Sequence, residues 1–113
     1  MRDFEKISFE QFKKDVKDDK KLYLLPQRDS DSTAGYDIYL LEDLRLEPNE
    51  IVKLPTGIKS YFEKDEVLIL VIRSSMGFKY NIRLCNQVGI IDADYYNNPD
   101  NEGHIWIKIQ NGG

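Results

Sequence analysis

Near the start of this chain, apolar residues recur at spacings of three and four. In "SFEQFKKDVKDD" (residues 8–19), Phe9, Phe12 and Val16 fall on one side of a helical period. Ser8 stands where an N-cap belongs, and Gln11 occupies the matching capping-box position, so the stretch predicts a short amphipathic helix. The mixed charges from Lys13 to Lys21 read as its solvated side and exit turn.

Beyond that point the pattern is strand and turn. "KLYLLPQ" is a short apolar run stopped by Pro26, and "YDIYLLEDLRL" is a second run. "IVKLPTGIKSYF" carries Pro55 and Gly57, which predict two short strands meeting at a bend or bulge. "VLILVIRSS" is continuously apolar, as expected for a strand buried on both faces. "NIRLCNQVGIIDADYY" predicts two strands broken near Asn86 to Gly89. "HIWIKIQN" alternates strictly, with Ile105, Ile107 and Ile109 on one face and His104, Trp106, Lys108 and Gln110 on the other. The polar stretches "RDSDSTAG", "EPNE", "EKDE" and "NNPDNEG" separate these runs as turns or loops. Many short strands at such intervals predict an all-β sandwich, barrel or jelly roll.

Composition narrows the picture. A length of 113 residues, with 41% apolar and 32% charged positions, fits one globular domain over residues 1–113. The longest apolar run, Val67 to Ile72, is too short to span a bilayer, and "MRDFEKISFEQF" lacks the apolar core of a secretory signal. Cys85, the lone cysteine, has no partner for an internal disulfide; a cytoplasmic protein with a buried, inert thiol is expected. A net charge of −4 argues against binding long nucleic acids but leaves room for a small anion held by local cations. "RSSMGFKYNIR" supplies such cations: Arg73, Lys79 and Arg83, with no acid among them.

The candidate chemistry lies in four segments. "GIIDADYY" sets Asp92 and Asp94 two apart, which on a strand points both to one face. By themselves they read equally as strand-end carboxylates bonded to nearby N–H groups. Arg73 in "RSS" reads alone as a strand-end ion pair, and "AGYD" as an ordinary turn. Lys79 and Arg83 read as solvated or interfacial charges. His104 has no cysteine or histidine at metal spacing, so it is not read as a zinc ligand.

The order of these segments adds more. "TAGYDI" (33–38), "LPTGI" (54–58), "IRSSMG" (72–77) and "NQVGIIDADYY" (86–96) together resemble the first three signature motifs of the trimeric dUTP diphosphatases, or dUTPases. The resemblance runs from Leu25 to Asn111, and N-x-V-G-x-I-D-x-D-Y is specific by itself. The insertion "YNNPDNEGHI" is similar to that of a Gram-positive bacterial or phage branch. The resemblance implies an all-β jelly roll or distorted β-barrel with a short N-terminal helix, a homotrimer with sites between subunits, and Mg²⁺-dependent hydrolysis of dUTP to dUMP and pyrophosphate.

It also implies residue roles. Asp92 matches the water-activating aspartate; a carboxylate can orient a water and take its proton as attack on the α-phosphorus proceeds. Asp94 matches a supporting residue. Asn86 marks the hairpin whose backbone reads uracil, Gly89 lets that backbone approach the nucleoside, and Ile90 and Ile91 flank the pocket. Cytosine would leave such a hairpin's groups unpaired, which discriminates strongly. Tyr95 matches the tyrosine lying flat beneath the deoxyribose, where a 2′-hydroxyl would clash. Arg73, Ser74 and Ser75 match the phosphate-binding motif. Asp37 matches the first-motif aspartate, with at most an outer-shell contact to Mg²⁺ through water, or a turn-structuring role.

Family members continue past the position of "KIQNGG" with further strands, a fourth motif and an arm that closes over the nucleotide. A chain of the present length is therefore expected to bind dUMP or dUTP weakly and turn over slowly. Two other readings stay open: a nucleotide-binding or regulatory module, with the 96–104 loop and the N-terminal helix as docking points, and dCTP deaminase, for which no matching glutamate motif is present.

Overall fold

The computed structural model describes residues 1–16, 24–28, 30–32 and 34–113. The expected helix beyond Val16, the charged run to Lys21, the start of the "KLYLLPQ" strand and Thr33 lie outside the described residues.

Strands dominate, as expected. β1 (Asp3–Lys6) pairs antiparallel with β3 (Ile58–Tyr61). β2 (Ile51–Pro55) pairs with β7 (Trp106–Asn111), which also pairs with β5 (Ile82–Leu84). β4 (Val67–Leu70) pairs with β6 (Gly89–Asp92). The bend between β2 and β3 falls where Pro55 and Gly57 predict it, with Gly57 at φ 79°. This bend joins the sheets. The Thr56 hydroxyl donates to the Ile105 carbonyl at 2.6 Å, Ile105 N–H donates to the Ile58 carbonyl at 2.9 Å, and Ile7 N–H donates to the Gly57 carbonyl at 3.0 Å. Ile58, His104 and Ile105 are consequently sealed from solvent.

Helix α1 (Phe9–Asp15) starts at Ser8, whose side chain accepts from Gln11 N–H at 3.2 Å. The reciprocal half of the capping box is supplied from elsewhere: Ser8 N–H donates to Glu102 Oε2 at 2.7 Å, while Gln11 Nε2 turns to Asp15 Oδ2 at 2.8 Å. Phe12 and Val16 are buried with Ile7 against Leu41. Phe9, expected on the same face, is 61% exposed and lies under Lys13 Nζ; it sits at the edge of the stripe that the core covers.

Three expectations are corrected. "RSS" opens a helix, α2 (Ser74–Tyr80), rather than ending the strand of "VLILVIRSS", which stops at Leu70; Asn81, left-handed at φ 58°, ends the helix. "YDIYLLEDLRL" forms no strand: it has β-forming side chains but finds only one bridge, Gln27 to Asp37, among the described residues. β4 is buried on one face only. Val67, Ile69, Val71 and, across the ladder, Ile90 stay open, because no second layer of the described residues covers β4–β6 there.

Candidate active site

The turn joining β5 to β6 builds one wall of the site; it is not the expected hairpin, because β5 pairs with β7 and β6 with β4, in separate sheets. Gln87 N–H donates to the Leu84 carbonyl at 2.9 Å and Val88 N–H to the Asn86 carbonyl at 2.7 Å, with Gln87 at φ 65°. Cys85 N–H donates to the Lys108 carbonyl at 2.8 Å, tying the turn to β7. The β5–β6 break therefore lies where the sequence predicts it. Gly89 has a reason internal to the fold: a Cβ there would meet Leu70 across the ladder at 3.1–3.4 Å.

β6 carries Asp92 to its end, and the chain then turns through a short 3₁₀ segment, Ala93–Tyr95. Asp92 and Asp94 are thus not on one strand, yet both line one open cleft of about 740 Å³. Asn86, Gly89, Ile90, Ile91 and Tyr95 line it too, so seven of the residues singled out in the sequence meet there. The volume is of the size that holds small ligands. Asp92 is not buried, and among the described residues neither its carboxylate nor that of Asp94 has a hydrogen-bond or ion-pair partner. The cost of burying a carboxylate does not arise. Asp92 is free to hold a water or a ligand proton.

Tyr95 is held at its phenol. The hydroxyl donates to the His104 carbonyl at 2.8 Å and accepts from Asn101 Nδ2 at 2.8 Å. Behind it, buried His104 accepts from Gly57 N–H at Nε2 (2.8 Å) and faces Asp15 Oδ2 through Nδ1 (2.6 Å). Nε2 must carry the lone pair, which puts the ring proton on Nδ1. Burial pushes the His104 pKa below its ordinary 6.5, against the pull of the Asp15 carboxylate. Glu102, in the same loop, is raised by burial but more strongly lowered by hydrogen bonds from Ser8 and Lys59 and by the Lys59 charge.

The phosphate-motif residues stand apart from this cleft. Arg73 and Ser74 line a second hollow over α2 and β5, and Leu84 alone among the described residues lines both. Arg73 and Ser75 are exposed, and Ser75 lines neither hollow. Arg73 Nη1 lies 3.8 Å from Asp37 Oδ2, so the first and second motifs do meet. Cys85, expected buried, is half-buried and lines the first cleft. Lys53, Trp106 and Lys108 complete that cleft and were not singled out; Lys53 Nζ lies 4.9 Å from the Trp106 ring centre, and Lys53 and Lys108 are cross-strand partners. The alternation of "HIWIKI" already set Trp106 and Lys108 on one face, but their pairing with Lys53 is long-range.

As to metal, no group of three His, Cys, Asp or Glu among the described residues makes a ligand set. Asp37 faces the Arg73 guanidinium at 3.8 Å and its backbone pairs with Gln27, N–H to carbonyl, at 2.7 and 3.2 Å.

The fold and cleft together define a class: antiparallel β proteins whose cleft gathers a turn between two sheets, an unpartnered carboxylate and an aromatic fixed at its hydroxyl. The dUTPase family model matches residues 23–111, and the chain belongs to the dUTPase family. It is 47% identical over 87 residues to the deoxyuridine 5′-triphosphate nucleotidohydrolase of Lactococcus lactis, covering 77% of this chain and 58% of that one. It is 42% identical over 92 residues to that of Pseudomonas fluorescens (strain Pf0-1), covering 79% and 57%. The dUTPase crystal structure from Streptococcus mutans superposes with a TM-score of 0.76 at 39% identity, over 97% of this chain and 79% of that one. The dUTPase from phage phi11 of S. aureus, described as carrying a species-specific insert, gives a TM-score of 0.72 at 26% identity, over 100% and 60%. The chain thus spans under three fifths of the curated relatives it matches.

Proposed function

We propose that this chain carries the nucleoside-binding and water-activating part of a dUTP diphosphatase. Uracil would lie against the 85–89 turn, read by backbone groups, with the deoxyribose over Tyr95. Asp92 would orient a water at the α-phosphorus and accept its proton. The oxygen–phosphorus bond to the β-phosphate then breaks, releasing pyrophosphate and leaving dUMP. The observation that carries this reading is Asp92: an unpartnered carboxylate in the same cleft as Asn86, Gly89 and Tyr95. Arg73 and Ser74 would stabilise charge developing on the leaving phosphates. Mg²⁺ would arrive bound to the triphosphate, where it neutralises phosphate charge, with Asp37 as a water-mediated neighbour.

Because Arg73–Ser74 and Asp92 line separate hollows, the working site would form between copies of the chain, as a homotrimer. The open apolar face of Val67, Ile69, Val71 and Ile90 supports such an assembly. One of the solved neighbours, a phage phi11 dUTPase, is described as coordinating a structural Mg(II) ion.

Asp92→Asn in this chain tests this. Pyrophosphate release from dUTP should fall about 10²–10⁴-fold, the usual worth of a positioned base, with dUMP affinity kept. Unchanged release would reject the role of Asp92. If instead the unaltered protein binds dUMP but never hydrolyses dUTP, the binding-module reading stands in its place.

A further inference from the structure

Helix α1 lies wholly outside the region that the family model matches, yet it reaches the cleft through one chain of hydrogen bonds. The geometry points to His104 and Asn101 as positioning residues for Tyr95, and to Asp15 of α1 as the group that holds His104 in place. By this route a segment outside the matched region sets how strictly the cleft rejects a ribose. The inference rests on the proposed nucleotide site and names the residues that make its sugar floor rigid.

The contacts are specific. Tyr95 has both its proton and a lone pair engaged, on the His104 carbonyl and the Asn101 amide, so the ring cannot swing without breaking two hydrogen bonds. Asn101 is itself oriented, since its Oδ1 accepts from Gly103 N–H at 3.0 Å and from Asn98 Nδ2 at 2.9 Å. Gly103 packs so closely that a Cβ would stand 2.7 Å from the Tyr95 carbonyl. His104 is held on its two ring nitrogens by partners from different elements, Gly57 in the β2–β3 bend and Asp15 at the end of α1. Selection by shape needs such a fixed wall. An aromatic free to shift by an ångström would accommodate a 2′-hydroxyl that a fixed one excludes.

The test is the ratio of dUMP to UMP affinity, measured by calorimetry on the same chain. Asp15→Ala, Asn101→Ala and Tyr95→Phe should each lower that ratio at least tenfold, chiefly by admitting UMP. Asp15→Asn keeps an acceptor for the His104 Nδ1–H and should restore a ratio close to that of the unaltered protein. Because Asp15 acts through Tyr95, the double variant should lose no more than the worse single one. Should Asp15→Ala unfold, Tyr95→Phe, which deletes one oxygen and leaves the ring, carries the test. If dUMP binds and is preferred over UMP, but the variants leave the ratio within twofold, the positioning role is overturned while the site survives. Independent, multiplying effects of Asp15→Ala and Tyr95→Phe would overturn the route. If the unaltered protein binds no dUMP, both the site and its positioning fall.

Discussion

Two acidic regions face each other across the 93–105 segment, and they are built on opposite principles. On the α1 side, Asp15 and Glu102 are fully engaged: Asp15 with His104 and Gln11, Glu102 with Ser8 and Lys59. On the cleft side, Asp92 and Asp94 have no partner among the described residues. Carboxylates of the first kind hold elements together; those of the second leave their lone pairs for something that arrives. The same residue type ties elements together in one region and stands unpartnered among the described residues in the other.

That contrast is open to breaking by mutation, and the largest effect should come from the latch. His104→Ala leaves the Gly57 N–H without a partner in a sealed site, takes from the Asp15 carboxylate one of its two partners, and opens a cavity. Urea denaturation should show a loss of about 3–5 kcal/mol. Gly103→Ala follows. It combines a backbone at φ 85° with a Cβ 2.7 Å from the Tyr95 carbonyl, and should cost about 1–3 kcal/mol by the same measurement.

Acid is a gentler probe. His104 has a folded pKa below its ordinary 6.5, so the unfolded chain binds the proton more readily. Its contribution is complete above about 6.5 and is lost as the pH falls toward the lowered value. Glu102, whose folded pKa lies below its ordinary 4.5, adds a second loss only as the pH falls below that point. Denaturation midpoints across pH 7 to 4 should therefore decline in two stages, and His104→Gln should remove the first. The smallest effect on stability belongs to the cleft: Asp92→Asn and Asp94→Asn should each change unfolding free energy by no more than about 0.5 kcal/mol. A stability loss from Asp92→Asn equal to that of His104→Ala would erase the distinction between the regions.

The sequence carried the cleft well because most of it is one contiguous run. Asn86 to Tyr95 folds as a local turn, a strand and a 3₁₀ segment, so a linear motif maps directly onto one wall. Alternation in "HIWIKIQN" likewise predicted β7, with Ile109 buried on one face; it did not predict that His104, set on the other face with Trp106 and Lys108, is sealed just before the strand begins. Long-range closure was not legible. Nothing near Ser8 announces that Glu102, 94 positions away, completes its cap. Helix α2 escaped notice because it is seven residues long, contains Gly77 and has no side-chain N-cap, all weak helix signals. The apolar run of β4 says that both faces avoid water. It does not say whether the cover belongs to the same chain, and in this chain one face has none among the described residues.

The central claim is that the 84–95 wall receives a uracil nucleotide with Asp92 beside its phosphate. Backbone amide chemical shifts recorded during a titration with dUMP test it most directly. The account predicts shifts concentrated at Cys85–Gly89 and Asp92–Tyr95, absent with an equal amount of dCMP. Shifts of the same size with dCMP, or shifts confined to residues outside that wall, would contradict it.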